Sequence, residues 1–342
     1  MERLFVILNS KKVLWIDYIR AFATILVILL HTTAPYLYKL NEINLSSWLI
    51  ADYIDSFTRV SVPLFFMISG FLFFGDKKPK AKNYIKIYLS ITFYSLISLI
   101  YMYIYQDISI YKYLKNIPFN PIFYHLWFFY TIFIIYIIAN FIQIRAINTK
   151  HISILLFTIF IILNPTLSDI TNLLIGVKLI SSFQIDGEII FYLLYAIFGA
   201  ILGNIEFKNR FIHNITPLIY IISSIAIGYI TSIISLDIGE FNSIFYKYNS
   251  IFVAIGAISI FISIKIHYKK LYILDKPIKI IAAYSLPIYG VHAIVLDYIY
   301  KNGYRDFNNP SIDIISTFTI TIIITLIISM IIKKLDRYNF VS

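Results

Sequence analysis

Ten long apolar stretches constrain this chain more than any other feature. They fall at about 13–35, 56–75, 84–105, 122–143, 152–170, 188–205, 211–236, 249–267, 281–300 and 311–332. A helix needs about 20 apolar residues to cross the hydrocarbon core of a bilayer. One span and a short loop take about 30 residues, so 342 residues accommodate roughly ten or eleven. Only 14% of the residues are charged and the mean hydropathy is +0.79, whereas a soluble domain carries about 25% charge. Large soluble domains and polar disorder are thereby excluded. The runs are continuous rather than alternating, which excludes a membrane β-barrel. The expected fold class is an all-α polytopic membrane protein with about ten transmembrane helices. Pro165 and the stretch 165–187 interrupt the fifth and sixth runs. The first run is too long for a cleaved signal peptide, holds Asp17 and Arg20, and lacks a small-x-small cleavage site.

The basic residues set the orientation. With the N-terminus inside, cytoplasmic segments collect 20 of the 29 Lys and Arg. They include Arg3, Lys11, Lys12, Arg145 and the group Lys77, Lys78, Lys80, Lys82 and Lys86. Eight basic residues fall outside, among them Arg59, Lys178 and Arg305, and Arg20 lies within a span. This asymmetry follows the positive-inside rule and places both termini in the cytoplasm. The net charge of +11 is therefore spent on topology and on contact with anionic membrane lipid; no nucleic-acid partner is expected. The connections are too short for a further folded domain, so residues 1–342 read as one membrane-embedded unit. Any chemistry belongs to the helices. There is no cysteine, which removes disulfides and thiolate chemistry.

Ionisable side chains within a span cost about 2.5–3.5 kcal/mol each and persist where they pair or function. The first span carries Asp17, Arg20 and His31. At about 100° per residue, and with Arg20 as origin, Asp17 falls near 60°, Thr24 near 40° and His31 near 20°. One polar face thus runs about 16 Å from Arg20 to His31. A buried ion pair that fixes packing would explain Asp17 and Arg20. An aligned histidine suits proton transfer better than packing.

His125 opens the fourth run beside Trp127, where it reads equally as an interfacial anchor or a site residue. Ser285, Tyr289 and His292 share one face of the ninth run, which interhelical hydrogen bonding would also explain. Three histidines on three spans raise the idea of a metal. The spacings HxxxH and HExxH are absent, so no metal and no bound cofactor is expected. In the second run, Pro63 can kink the helix and Ser69-Gly70 permits close approach of a neighbour. The lysines after it would hold an anionic cytosolic ligand, or serve topology alone.

Four blocks in order resemble the acyltransferase-3 family of integral membrane O-acyltransferases. They are Trp15-Ile16-Asp17-Tyr18-Ile19-Arg20 through His31, the segment Val62-Pro63-Leu64-Phe65-Phe66-Met67-Ile68-Ser69-Gly70-Phe71, His125-Leu126-Trp127-Phe128, and Tyr289-Gly290-Val291-His292. Within the family, the segments 59–61, 123–129 and 336–342 resemble the branch that acetylates enterobacterial common antigen. The resemblance implies an acyl-CoA-dependent O-acetyltransferase of the bacterial inner membrane. Acetyl-CoA would be the donor substrate. The acceptor would be a hydroxyl of a cell-surface glycan, free or lipid-linked, such as an N-acetylglucosamine-containing polysaccharide. Arg20 with Asp17, helped by Lys82 and Lys86, would meet the donor. His31 would act as general base or carry the acyl group. Ser69, His125, Trp127, Tyr289 and His292 would line the cavity. Many members carry an arginine pair where this chain has Lys82 and Lys86; lysine lacks the bidentate fork. A polysaccharide exporter or transporter without acyl chemistry is the alternative reading, since it would also use intramembrane Arg, Asp and His.

Overall fold

The computed structural model describes residues 13–106, 110–115, 117–144, 149–177, 184–185, 187–305 and 309–342. Arg3, Lys11, Lys12, Arg145 and Lys178 lie outside these residues. The described residues contain helices and turns and no strand. The helices are α1 Leu14–Leu37, α2 Leu45–Thr58, α3 Ser61–Phe73, α4 Ala81–Gln106, α5 Ile110–Leu114, α6 Trp127–Ile138, α7 Thr149–Ile162, α8 Thr166–Ile175, α9 Ile189–Asn204, α10 Arg210–Ile238, α11 Ile251–His267, α12 Asp275–Ala283, α13 Ser285–Lys301 and α14 Pro310–Leu335.

All ten apolar runs fall on helix, but the elements differ in length from the even set expected. Among the described residues, six helices are long and apolar enough to cross a membrane, or seven if the bent pair α7 and α8 forms one span. That pair bends by 68° where Pro165 interrupts the hydrogen-bond ladder. The second helical passage begins at Leu45 rather than at 56. Hydropathy read this stretch as loop because it holds Asp52 and Asp55. Both carboxylates are instead buried among polar partners, and Asn44 caps the helix by accepting from the Ser47 N–H at 2.8 Å.

α1 is the central helix, packed against α2, α3, α11, α12, α13 and α14. α3 packs on α9 with the two backbones in direct contact. A Cβ at Gly70 would fall 1.7 Å from the Ala196 carbonyl oxygen, and one at Gly199 would fall 1.9 Å from that of Met67. Without a hydrophobic drive between helices in lipid, such small-residue contact is a main source of attraction. α14 buries Thr317, Thr321, Thr325 and Ser329 at four-residue spacing and exposes Ile315, Ile320, Ile323 and Ile327. Thr321, Thr325 and Ser329 return their hydroxyls to the carbonyl four residues earlier, so a polar stripe packs inward with its donors satisfied.

Candidate active site

The polar face of α1 organises the interior. Arg20 Nη1 lies 3.4 Å from Asp17 Oδ1; the Asp17 side chain is 4% exposed and that of Arg20 is 31% exposed. The arginine is therefore held by one buried partner while its head stays accessible. It faces a cavity of about 370 Å³ whose wall includes Ser69, Lys86, Tyr136, Ser285 and Tyr289. Ser69 comes from α3, Lys86 from α4 and Tyr289 from α13, so four helices meet around the guanidinium. Lys82 is exposed and is not part of this wall. It sits four residues before Lys86 on α4, and the expected pairing of the two lysines at one site does not occur.

The segment after α14 also reaches the cavity. Asp336 accepts backbone N–H bonds from Phe340, Val341 and Ser342 at 2.8–2.9 Å, and the Ser342 hydroxyl at 2.9 Å. This folds residues 337–342 back, where Tyr94 Oη donates to the Val341 carbonyl at 2.6 Å. Lys86 Nζ donates to the Ser342 carbonyl. Tyr136 went unnoticed in sequence because 29 tyrosines offer no contrast; the segment 336–342 was read only as a point of resemblance, since its fold-back depends on one carboxylate collecting local N–H groups.

Beyond Tyr289 the three histidines converge. The His292 ring centroid lies 5.2 Å from that of His31 and 5.0 Å from that of His125. Tyr289 touches both His125 and His292 at 5.7 and 5.5 Å. His31 also meets Tyr124 edge-on at 5.2 Å. His125 Nε2 bonds the Gly290 carbonyl at 3.1 Å, and His292 Nδ1 bonds the Tyr289 carbonyl at 2.7 Å. A carbonyl only accepts, so both nitrogens carry the proton and the opposite nitrogens carry lone pairs. Those opposite atoms, His125 Nδ1 and His292 Nε2, are buried without a partner. The cluster therefore holds two preset acceptor nitrogens, on His292 against His31 and on His125 against His292. Among the described residues, no three of His, Cys, Asp and Glu are grouped to hold a metal ion.

Trp127 stands apart from the Arg20 cavity. Its ring lies 5.3 Å from Tyr192 and 6.1 Å from Tyr248. Residues 13–334 match the family model for the acyltransferase-3 acyltransferase domain. The chain belongs to the acyltransferase-3 family. No curated protein and no solved structure matches it. As an acyltransferase of this family, it places its polar residues in two connected zones. Arg20, Asp17, Ser69, Lys86 and Tyr289 form the first. His31, His125 and His292 form the second, with Tyr289 between them.

Proposed function

We propose that the protein is an O-acetyltransferase of the bacterial inner membrane that moves an acetyl group from acetyl-CoA to a hydroxyl of a cell-surface glycan. The observation that carries this reading is the α1 face that joins Arg20 to His31, with His31 packed on His292. In this reading the chain crosses the membrane ten times with both termini in the cytoplasm, and residues 1–342 act as one domain. Arg20 and Lys86 attract the phosphates of the donor from the cytoplasmic side, and Asp17 fixes the arginine. The pantetheine arm reaches past Tyr289 toward His31, about 16 Å farther along α1.

There the chemistry is acyl transfer. A sugar hydroxyl is a poor nucleophile near neutral pH, so a base must take its proton as the oxygen attacks the thioester carbonyl. His31 accepts that proton, the new O–C bond forms, the C–S bond breaks, and the proton passes to the departing thiolate. His292 Nε2, buried without a partner on a ring 5.2 Å from that of His31, would accept an N–H from His31 and so set which His31 nitrogen is basic. His31 could equally be the atom that carries the acetyl group between donor and sugar; both routes need its lone pair. The acceptor we favour is an N-acetylglucosamine-containing polysaccharide of the enterobacterial common antigen type, on the strength of the sequence resemblance.

The test compares glycans by mass spectrometry in wild type, deletion and His31→Ala, alongside thiol release from acetyl-CoA by purified membranes. The expected result is loss of acetyl groups from one glycan in both mutants and loss of thiol release. Unchanged acetylation in the deletion would overturn the proposal.

A further inference from the structure

The cavity at Arg20 holds about 370 Å³. Pockets that enclose drug-sized ligands run from about 300 to 1,000 Å³. Coenzyme A joins a pantetheine arm to a nucleotide bearing a diphosphate and a 3′-phosphate, so the whole molecule exceeds this space. The cavity suits the arm and leaves the nucleotide end outside. Its rim shows where that end can go. Ala283, exposed at the last position of α12, lines the Arg20 cavity and also a second pocket of about 510 Å³. Asp275, Lys276, Lys279, Ile280 and Tyr284 form the rest of the second wall. A side chain no larger than a methyl group thus stands at the lip between the two spaces.

Charge selects the ligand of the second pocket. Lys276 and Lys279 stand in its wall. Lys333 of α14 reaches the same lip: its Nζ donates to the Ala283 carbonyl at 3.4 Å and lies 4.9 Å from the centre of the Tyr284 ring. Asp275 is the acid of the wall, and its oxygens are taken. Tyr18 donates to Oδ1, and Lys279 donates to Oδ2 at 3.1 Å. Among the described residues, neither Lys276 nor Lys333 pairs with a carboxylate. Three lysines against one satisfied carboxylate leave a positive surplus. An ammonium holds a phosphate as a point charge without a fixed fork, which suits a group at an open rim. The pocket is also held in place. Tyr18 Oη lies 2.9 Å from the Leu271 carbonyl and donates to Asp275, which ties the start of α12 to α1 one residue from Asp17.

We propose that this pocket is the nucleotide subsite of the donor. Lys276, Lys279 and Lys333 hold the 3′-phosphate, and Ile280 and Tyr284 support the adenine. The diphosphate then crosses the Ala283 lip toward Lys86 and Arg20. The inference rests on the reading of acetyl-CoA as donor, and adds α12 and the end of α14 to the residues that recognise it. Lys269 and Lys270, exposed just before α12, lie outside the wall and take no part.

The experiment reads binding without turnover. Full-length protein in phosphatidylcholine nanodiscs is titrated by calorimetry with adenosine 3′,5′-bisphosphate. AMP, which lacks the 3′-phosphate, is the comparison. We expect saturable binding of the bisphosphate. Binding should be about tenfold weaker for AMP, and about tenfold weaker for the bisphosphate in Lys276→Gln/Lys333→Gln. Lys269→Gln/Lys270→Gln removes equal charge outside the pocket and should stay within about twofold of wild type. Kinetics supplies a second readout. Lys276→Gln/Lys333→Gln should raise the KM for acetyl-CoA about tenfold and leave that for S-acetylpantetheine, which has no nucleotide, unchanged. If this variant does not accumulate, Lys276→Gln alone decides, because that side chain is exposed. No saturable binding of the bisphosphate, or equal weakening in both double variants, overturns the subsite. Phosphatidylglycerol that co-purifies with wild type but not with Lys276→Gln/Lys333→Gln, without bisphosphate binding, would assign the pocket to a lipid headgroup instead. Thiol release from acetyl-CoA on the same preparations judges the acyltransferase reading separately. Bisphosphate binding without thiol release would keep the subsite and remove the transfer. Thiol release without bisphosphate binding would do the reverse.

Discussion

Tyr289 and His125 hold each other through the backbone. The Tyr289 hydroxyl donates to the His125 carbonyl, while His125 Nε2 donates to the carbonyl of Gly290, the next residue after Tyr289. This reciprocal pair clamps the start of α6 to α13 and sets the His125 tautomer. It also places the Tyr289 ring between the Arg20 cavity and the histidines. Removing the hydroxyl in Tyr289→Phe keeps the ring and leaves a buried carbonyl without its donor, a loss of about 1–3 kcal/mol. The expected outcome is a fall in Tm of the purified protein and roughly tenfold slower transfer at unchanged membrane abundance. Unaltered Tm and rate would show that the clamp is idle.

His292 acts through His31 in the proposed mechanism, so its removal should alter the pH response as well as the rate. His31→Ala should lose the 10²–10⁴-fold typical of a general base. His292→Gln should lose less and displace the acidic limb of the pH–rate profile. A His292→Gln enzyme that is slow but has a wild-type pH profile would assign His292 to packing.

The two lysines of α4 should behave differently. Lys86 lines the Arg20 cavity and Lys82 does not. Lys86→Ala is expected to raise the KM for acetyl-CoA about tenfold, the equivalent of about 1.4 kcal/mol. Lys82→Ala should leave it within about twofold, as for other exposed charges. Steady-state kinetics at saturating acceptor checks both.

Gly199 and Gly70 fix the α3–α9 contact. A methyl group at either would overlap a backbone carbonyl at under 2 Å, and backbone cannot swing aside as a side chain can. Gly199→Ala is expected to force the helices apart and to abolish accumulation of folded protein, scored by size-exclusion profile in detergent. Gly75→Ala, which meets no atom within 4 Å, is the neutral control.

The fold-back at Asp336 should depend on pH. Burial opposes its charge, but the N–H groups of Val341 and Phe340 with the hydroxyl and N–H of Ser342 outweigh it and hold the carboxyl below its ordinary value. Its stabilising contribution is complete above about pH 4, the usual aspartate value, and disappears as pH falls through the lower folded value. Hydrogen exchange at 340–342 should be slow at pH 7, faster below pH 3 after correction for intrinsic rates, and fast at pH 7 in Asp336→Asn. Equal protection in the variant would detach the fold-back from this carboxylate.

The polar face of α1 was readable because helical periodicity is local: Asp17, Arg20 and His31 share a face whatever surrounds them. The same argument placed Ser285, Tyr289 and His292 together on α13. Hydropathy began the second run at 56 and left Asp52 and Asp55 before it, since it scores a carboxylate without its partners, whereas the helix starts at Leu45. Arg59 was counted as an outside charge and as part of the 59–61 segment, and only the fold shows it paired with Asp55 and set against the Tyr246 ring. Lys82 and Lys86 looked equivalent; only the packing of α4 turns one to the cavity and the other away.

Sequence alone therefore determined the membrane-embedded helical class, the family and the polar stripe of the central helix, because run length, motif order and a 3.6-residue repeat are properties of the chain itself. The tertiary structure decided which helices are full-length and which are bent or short. It also decided that His292 packs against both His31 and His125, and that Tyr289 stands between the two zones. Those relations join residues up to 261 positions apart, such as His31 and His292. They are set by side-chain packing and backbone carbonyls across helices, on which local periodicity has no bearing.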